Sequence, residues 1–330
     1  MKTRACDVLG IPHPIVLGGM GSGTSPELVV AVSNAGGLGI QGCAGRSPAQ
    51  IAQLVTAVRA GVADHAFGLN LLLFLADDAQ IDAVLSAQPP IFSSAWSTPE
   101  QDLTPLFARA HASGSRVMHM VSTVHEARRA AAAGADIIAA QGSEGGGNVG
   151  VMGTFALVPQ VVRAVAPIPV LLAGGVADGA GLAAAVMLGA EGVLLGTRFL
   201  ATPEAPLPDA YKEAIVHSDG HDTLLTELPD VIAGQVWPGA FARVLRTQFI
   251  QEWLGREGEV RQRRIELLQR IQRAREQGDV DNGTLLIGQD AGLIDSIEPA
   301  GSIVERVVRD AETILRRRLA EVLLPVAARV

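Results

Sequence analysis

Cysteine is scarce, lysine is nearly missing, and aromatic side chains make up only 4% of the 330 residues. Cys6 and Cys43 are too few for a disulfide framework or a four-ligand zinc site. The two lysines, Lys2 and Lys212, both fall outside the apolar runs that read as strands. That excludes a Schiff-base lysine of the class I aldolase or pyridoxal phosphate kind. No HxH, HExxH or clustered-carboxylate pattern offers a metal site. Basic residues are outnumbered 26 to 34, a net charge of −8, which argues against nucleic acid as the main partner. The longest apolar runs, such as Leu69–Leu75 and Ile168–Ala173, are too short to cross a bilayer. The opening MKTRACDVLG lacks the apolar core of a secretory signal. The expectation is a cytoplasmic protein that acts on a small molecule, with no membrane or nucleic-acid partner. A homodimer is compatible with these observations.

Aliphatic residues supply the core instead: hydrophobic side chains make up 48% of the chain and charged ones 18%. Short apolar runs at 15–17, 38–40, 67–71, 91–95, 117–121, 137–140, 170–173 and 192–195 read as strands. They are continuous rather than alternating, as in a parallel sheet covered on both faces. Between them lie Ala-rich helical stretches at 25–34, 48–60, 78–87, 100–113, 123–133, 155–166 and 179–188. Several of these start at a Ser or Thr cap and stop at glycine. Eight strand–helix units in succession predict an α/β fold, a (β/α)8 TIM barrel. Residues 1–200 and 301–330 are assigned to the barrel, its last helix spanning 302–320. Residues 201–300, broken by Pro203, Pro206 and Pro208, read as a small helical cap inserted near the C-terminus. Helices are expected there at 239–254 and 258–277, the second with an apolar stripe of Val260, Ile265, Leu268 and Ile271.

Barrel chemistry sits just after the strands. Here those positions hold Gly18–Gly23, Gln41-Gly42-Cys43, the decapeptide Gln141–Gly150, Gly174-Gly175 and Gly196-Thr197-Arg198. Glycines at the seventh and eighth strand ends form the usual phosphate cradle of this barrel. A phosphate-bearing cofactor that brings its own chemistry fits best, and FMN is the candidate. A barrel isomerase or lyase that binds a sugar phosphate without flavin is the alternative. The missing lysine and the lack of an acid–base pair at the strand ends count against it.

The loop Gln141-Gly-Ser-Glu-Gly-Gly-Gly-Asn-Val-Gly150 resembles the Q-G-x-E-A-G-G-H-x-G loop of the nitronate monooxygenase family, formerly the 2-nitropropane dioxygenases. FMN-dependent enoyl-acyl-carrier-protein reductases share that architecture. Ile11–Ile15, Asn34–Gly39, Gly68–Leu71, Ala173–Gly175, Leu195–Phe199 and Gly288–Ile294 match in the same order along nearly the whole chain. The resemblance implies an FMN-dependent oxidoreductase that oxidises alkyl nitronates with O2. An NAD(P)H-dependent reductase of quinones or enoyl thioesters is the alternative within the class. It further implies that Asn70 and Gln141 bind the flavin ring or ribityl chain, with Gly146 contributing from the glycine loop. Gly174, Gly175, Gly196 and Thr197 would hold the phosphate, and Gly19 and Met20 would pack on the isoalloxazine. Asn148 stands where most of the family has histidine, read there as the base that deprotonates a neutral nitroalkane or as a substrate-orienting group. An amide cannot be a general base, although it can donate a hydrogen bond. His119, on the fifth strand, is the histidine that would reach the mouth if odd positions of that strand faced inward.

Overall fold

Aliphatic runs buried on both faces form the barrel. In chain order the strands are β1 (Ile15–Leu17), β2 (Gly39–Gly42), β3 (Phe67–Leu72), β4 (Ile91–Ala95), β5 (Arg116–Val121) and β6 (Ile137–Gln141). There follow β7 (Gly147–Val149), β8 (Val170–Ala173), β9 (Val193–Leu195), β10 (Thr223–Thr226) and β11 (Phe241–Leu245). This computed structural model describes residues 1–323; residues 324–330, the end of the segment assigned to the barrel, lie outside the described residues.

Eight strands pair in parallel in the order β1-β9-β8-β6-β5-β4-β3-β2. The ring closes where Val16 bridges Leu38: the Leu17 N–H donates to the Leu38 carbonyl and the Leu38 N–H to that of Ile15, each at 2.9 Å. Capping places the helices. Ser47 with Gln50, Asp77 with Gln80 and Thr123 with Glu126 make reciprocal capping boxes. The helix Ala300–Val322 packs against 179–187 and 26–34 and completes the outer ring.

The side-chain alternation of each strand sorts the core into two layers. Val16, Ile40, Ile91, Met118, Ile137 and Leu171 fill the barrel interior at its N-terminal end. The short helix Arg4–Leu9 plugs that end with Ala5, Cys6 and Leu9. Neighbouring positions such as Ile15, Phe92, Val117 and Ile138 point outward to the helices.

Segment 201–299 is more than helical. Its helices 209–217, 228–233, 248–253 and 257–277 accompany the antiparallel hairpin β10–β11, and β7 of the glycine loop joins as a third strand beside β11. The single helix expected over 239–254 is therefore corrected to a strand, 241–245, followed by a short helix, 248–253, capped by Thr247. Pairing with β7 and β10 satisfies the backbone of 241–245 and overrides the local helical pattern. The stripe of helix 257–277 also shifts. Val260, Leu267 and Ala274 are buried and Ile271 is partly so, whereas Ile265 is 68% exposed. At 3.6 residues per turn, 260, 267, 271 and 274 share one face and 265 falls on the far side.

Candidate active site

At the C-terminal ends of the barrel strands lies a cavity of about 360 Å³, within the usual size range of small-molecule sites. Loops after the strands make its floor, and segment 201–299 contributes Tyr211, Trp237, Arg275 and Leu285 to its walls.

Gly19, Met20, Asn70, Gln141 and Gly146 line the cavity, and so do Asn148, Gly196 and Thr197. A side chain at Gly19 would overlap the Cβ of Asn70, so glycine lets the loop after β1 lie directly on β3. The Asn70 amide is fixed by donating to Ser93 Oγ at 2.9 Å. Gln141 is different: its Oε1 is buried with no hydrogen-bond partner among the described residues. An orphaned acceptor on a cavity wall costs about 1–3 kcal/mol until a ligand N–H meets it.

The glycine loop is clamped from above and below. A Cβ on Gly146 would come within 2.6 Å of the Gly288 nitrogen, so the 287–289 segment rides directly on the loop, and the Gln289 N–H donates to the Glu144 carbonyl at 2.9 Å. The Glu144 carboxylate accepts from the backbone N–H and the hydroxyl of Thr154, at 2.8–2.9 Å. Gly174 and Gly175 lie beneath, against Gly145 and the Glu144 side chain, and are not among the cavity-lining residues. Thr197 reaches the cavity edge with its hydroxyl engaged: Oγ1 accepts from the Gly288 N–H at 2.9 Å and its proton is directed to Asp290. Burial raises the Asp290 carboxyl to about 7.

His119 does not reach the mouth. On β5 the even positions, Met118 and Met120, face inward, so His119 points outward, packed at 5.7 Å on Phe107 with Nδ1 2.8 Å from Ser94 Oγ. It is 2% exposed, and burial pushes its pKa down to about 3, so the ring stays neutral and takes no part at the cavity. Cys43 is likewise turned into the outer layer, where burial raises its thiol to about 12. His125, His217 and His221 are exposed.

A model of the nitronate monooxygenase family matches residues 2–83 and 75–310. A Mycobacterium tuberculosis protein named (3aS,4S,5R,7aS)-5-hydroxy-7a-methyl-1-oxo-octahydro-1H-indene-4-carboxyl-CoA dehydrogenase is 33% identical over 96% of this chain and 98% of its own. The chain belongs to the nitronate monooxygenase family. Among solved structures, FabK from Thermotoga maritima superimposes with a TM-score of 0.86 at 35% identity, covering 97% of this chain and 99% of that one. Nitroalkane oxidase from Streptomyces ansochromogenes gives 0.83 at 27% identity, covering 96% and 100%. The protein is thus an oxidoreductase on a TIM barrel.

In this member of the nitronate monooxygenase family the residue at 148 has a partner that local sequence patterns did not reveal. Asn148 Nδ2 donates to Asp230 Oδ2 at 2.9 Å. Asp230 lies on helix 228–233, in the connection between β10 and β11. Leu228 and Ile232, one turn apart, bury one face of that helix, and Asp230 on the opposite side meets β7. Burial raises its carboxyl to about 6; the hydrogen bond from the Asn148 amide offsets part of that rise. Trp237 packs at 4.7 Å on Phe74, the rings tilted by 55°, and edge-on at 5.7 Å to Trp96. Trp96 holds a left-handed φ of 56°, a conformation that costs a non-glycine residue energy and often marks a functional site. The only sequence signal for Asp230 was an acidic residue inside the apolar run Leu228–Ile232.

Among the described residues that line the cavity there is no Asp, Glu, His, Cys or Lys; its ionisable groups are Tyr211 and Arg275. Tyr211 donates to the Asp279 carbonyl, and Arg275 is tied to Ser22 and the Pro206 carbonyl. No group of three or more His, Cys, Asp or Glu among the described residues is placed to hold a metal. No helix among them is long and apolar enough to cross a membrane.

Proposed function

We propose that the protein is an FMN-dependent oxidoreductase that oxidises alkyl nitronates with O2 and takes its substrate already in the anionic form. The observation that carries this reading is a cavity wall that, among the described residues, carries no Asp, Glu, His, Cys or Lys. Removing a carbon-bound proton from a neutral nitroalkane needs a base, whereas a nitronate has lost that proton already. Bound FMN would supply the redox chemistry between substrate and O2.

The residues present fit that cofactor. The unpaired Gln141 Oε1 offers an acceptor to a ring N–H, and Asn70 beside Gly19 offers a fixed amide. Met20 lies beside Gly196, where it would pack on a flat ring. Backbone around Gly196-Thr197, supported from below by Gly174-Gly175, would hold the phosphate. With an N–H of its amide turned to the cavity, Asn148 would donate to the substrate's oxygens.

A second reading is favoured by the apolar wall of Leu200, Leu207, Leu285 and Leu286 together with Arg275 at the cavity. That combination suits a long thioester with an anionic tail, handled with NAD(P)H as reductant. Steady-state turnover of propionate 3-nitronate with O2, set against NAD(P)H oxidation with a quinone or an enoyl thioester, separates the two. Faster nitronate turnover is the expected result.

A further inference from the structure

An amide has two ends of nearly equal shape and opposite hydrogen-bonding polarity. At Asn148 the backbone is fixed, because β7 pairs with β11 and Asn148 lies opposite Ala242. What remains to be set is which end of the amide faces the cavity. That choice is made from behind, where Nδ2 donates to Asp230 Oδ2. Both residues are buried, each 9% exposed, so water does not compete freely for either.

An ionised carboxylate only accepts. It holds Nδ2 and leaves Oδ1 turned away from it, on a residue that lines the cavity. A protonated carboxyl carries an O–H that donates to an amide oxygen, so the turned amide would present its two N–H donors to the cavity. We propose that Asp230 is the positioning residue that decides whether Asn148 offers the substrate a hydrogen-bond acceptor or a donor. This rests on the reading above that substrate meets flavin in this cavity. Donors suit the anionic oxygens of a nitronate or a thioester carbonyl; an acceptor suits a substrate O–H.

The surroundings place the change near neutral pH. Burial is the largest cause of the raised Asp230 carboxyl, and Glu227 on the same turn raises it further. From the packed elements, Arg243 on β11 is committed to the Ser143 carbonyl and Thr223 Oγ1, and Arg264 of helix 257–277 lies against Gly234. With a carboxyl at about 6, the donor face prevails below that pH and the acceptor face above it.

The chain has four asparagines, 34, 70, 148 and 282, so selective 15N-asparagine labelling gives a readable set of side-chain amide signals. In the flavin-free protein the Asn148 amide signals are expected to move with a midpoint near pH 6 while those of Asn70 stay still. In Asp230→Asn that movement is lost. In the flavin-loaded enzyme, kcat/KM for a preformed nitronate is expected to fall about tenfold as pH rises through the same midpoint. That step disappears in Asp230→Asn with flavin content unchanged. Asn148 signals that stay flat across the range overturn the proposal, as does a pH step that persists in Asp230→Asn. The wild-type titration decides even if the variant folds poorly. Movement of Asn148 without nitronate turnover supports the positioning role and removes the nitronate substrate instead.

Discussion

We read residue 148 as the position where the family resemblance expects histidine and this chain carries Asn148. Asn148→His would place an imidazole against Asp230, a carboxylate suited to orienting the ring and stabilising its charged form. We expect that variant to gain turnover of a neutral nitroalkane by about 10²–10⁴-fold, the usual worth of a positioned base. Its nitronate rate should change far less, within about tenfold, the worth of one hydrogen bond to the substrate. Oxygen consumption with each substrate form at matched pH measures both, and an equal change in the two rates would contradict the account. A second buried carboxyl makes a stability prediction. Asp290 is raised from 3.8 to about 7 by burial, so the folded chain keeps a proton that the unfolded chain releases. Stability therefore declines as pH rises between about 4 and 7, by at most about 4 kcal/mol. Asp290→Asn removes that penalty. In flavin-free protein it should raise Tm at pH 8 and leave it nearly unchanged at pH 4. An equal shift at both pH values would show that the carboxyl is not held protonated by the fold.

At the scale of elements, the glycine loop works as a strand clamped between the 287–289 segment and Gly174-Gly175. Gly146→Ala puts a methyl into the Gly288 nitrogen and the Ile287 backbone. An overpacked contact costs about 1–3 kcal/mol, so FMN affinity should fall roughly 5- to 150-fold while the far-ultraviolet circular dichroism stays that of a folded barrel. Unchanged affinity by flavin fluorescence titration would place the cofactor away from this loop. Much of this layer was legible in sequence, because the barrel strands are local apolar runs and several helices bring their own caps, as at Ser47 and Thr123. Once the strands are known, the glycines at their ends follow. His119 was misread because the inward parity of β5 is set by its neighbours, not by its own residues. Asp230 was missed because its meeting with Asn148 depends on a pairing of β7 with β11 some ninety residues along the chain. The same pairing turned an apparent helix at 241–245 into a strand.

The whole molecule places a cavity over the barrel mouth, with the N-terminal end plugged by helix 4–9 and the other end walled by segment 201–299. Among the described residues that wall carries no Asp, Glu, His, Cys or Lys, which is why we propose a substrate whose reactive proton is already gone. The most direct test is anaerobic mixing of the FMN-reconstituted protein with propionate 3-nitronate and, separately, with 3-nitropropionate, the form whose nitroalkane group is neutral, following the visible absorbance of the flavin. The account predicts rapid bleaching by the nitronate and none on the same timescale by the neutral form. Failure to bind FMN, or bleaching by the neutral form as fast as by the anion, would contradict it.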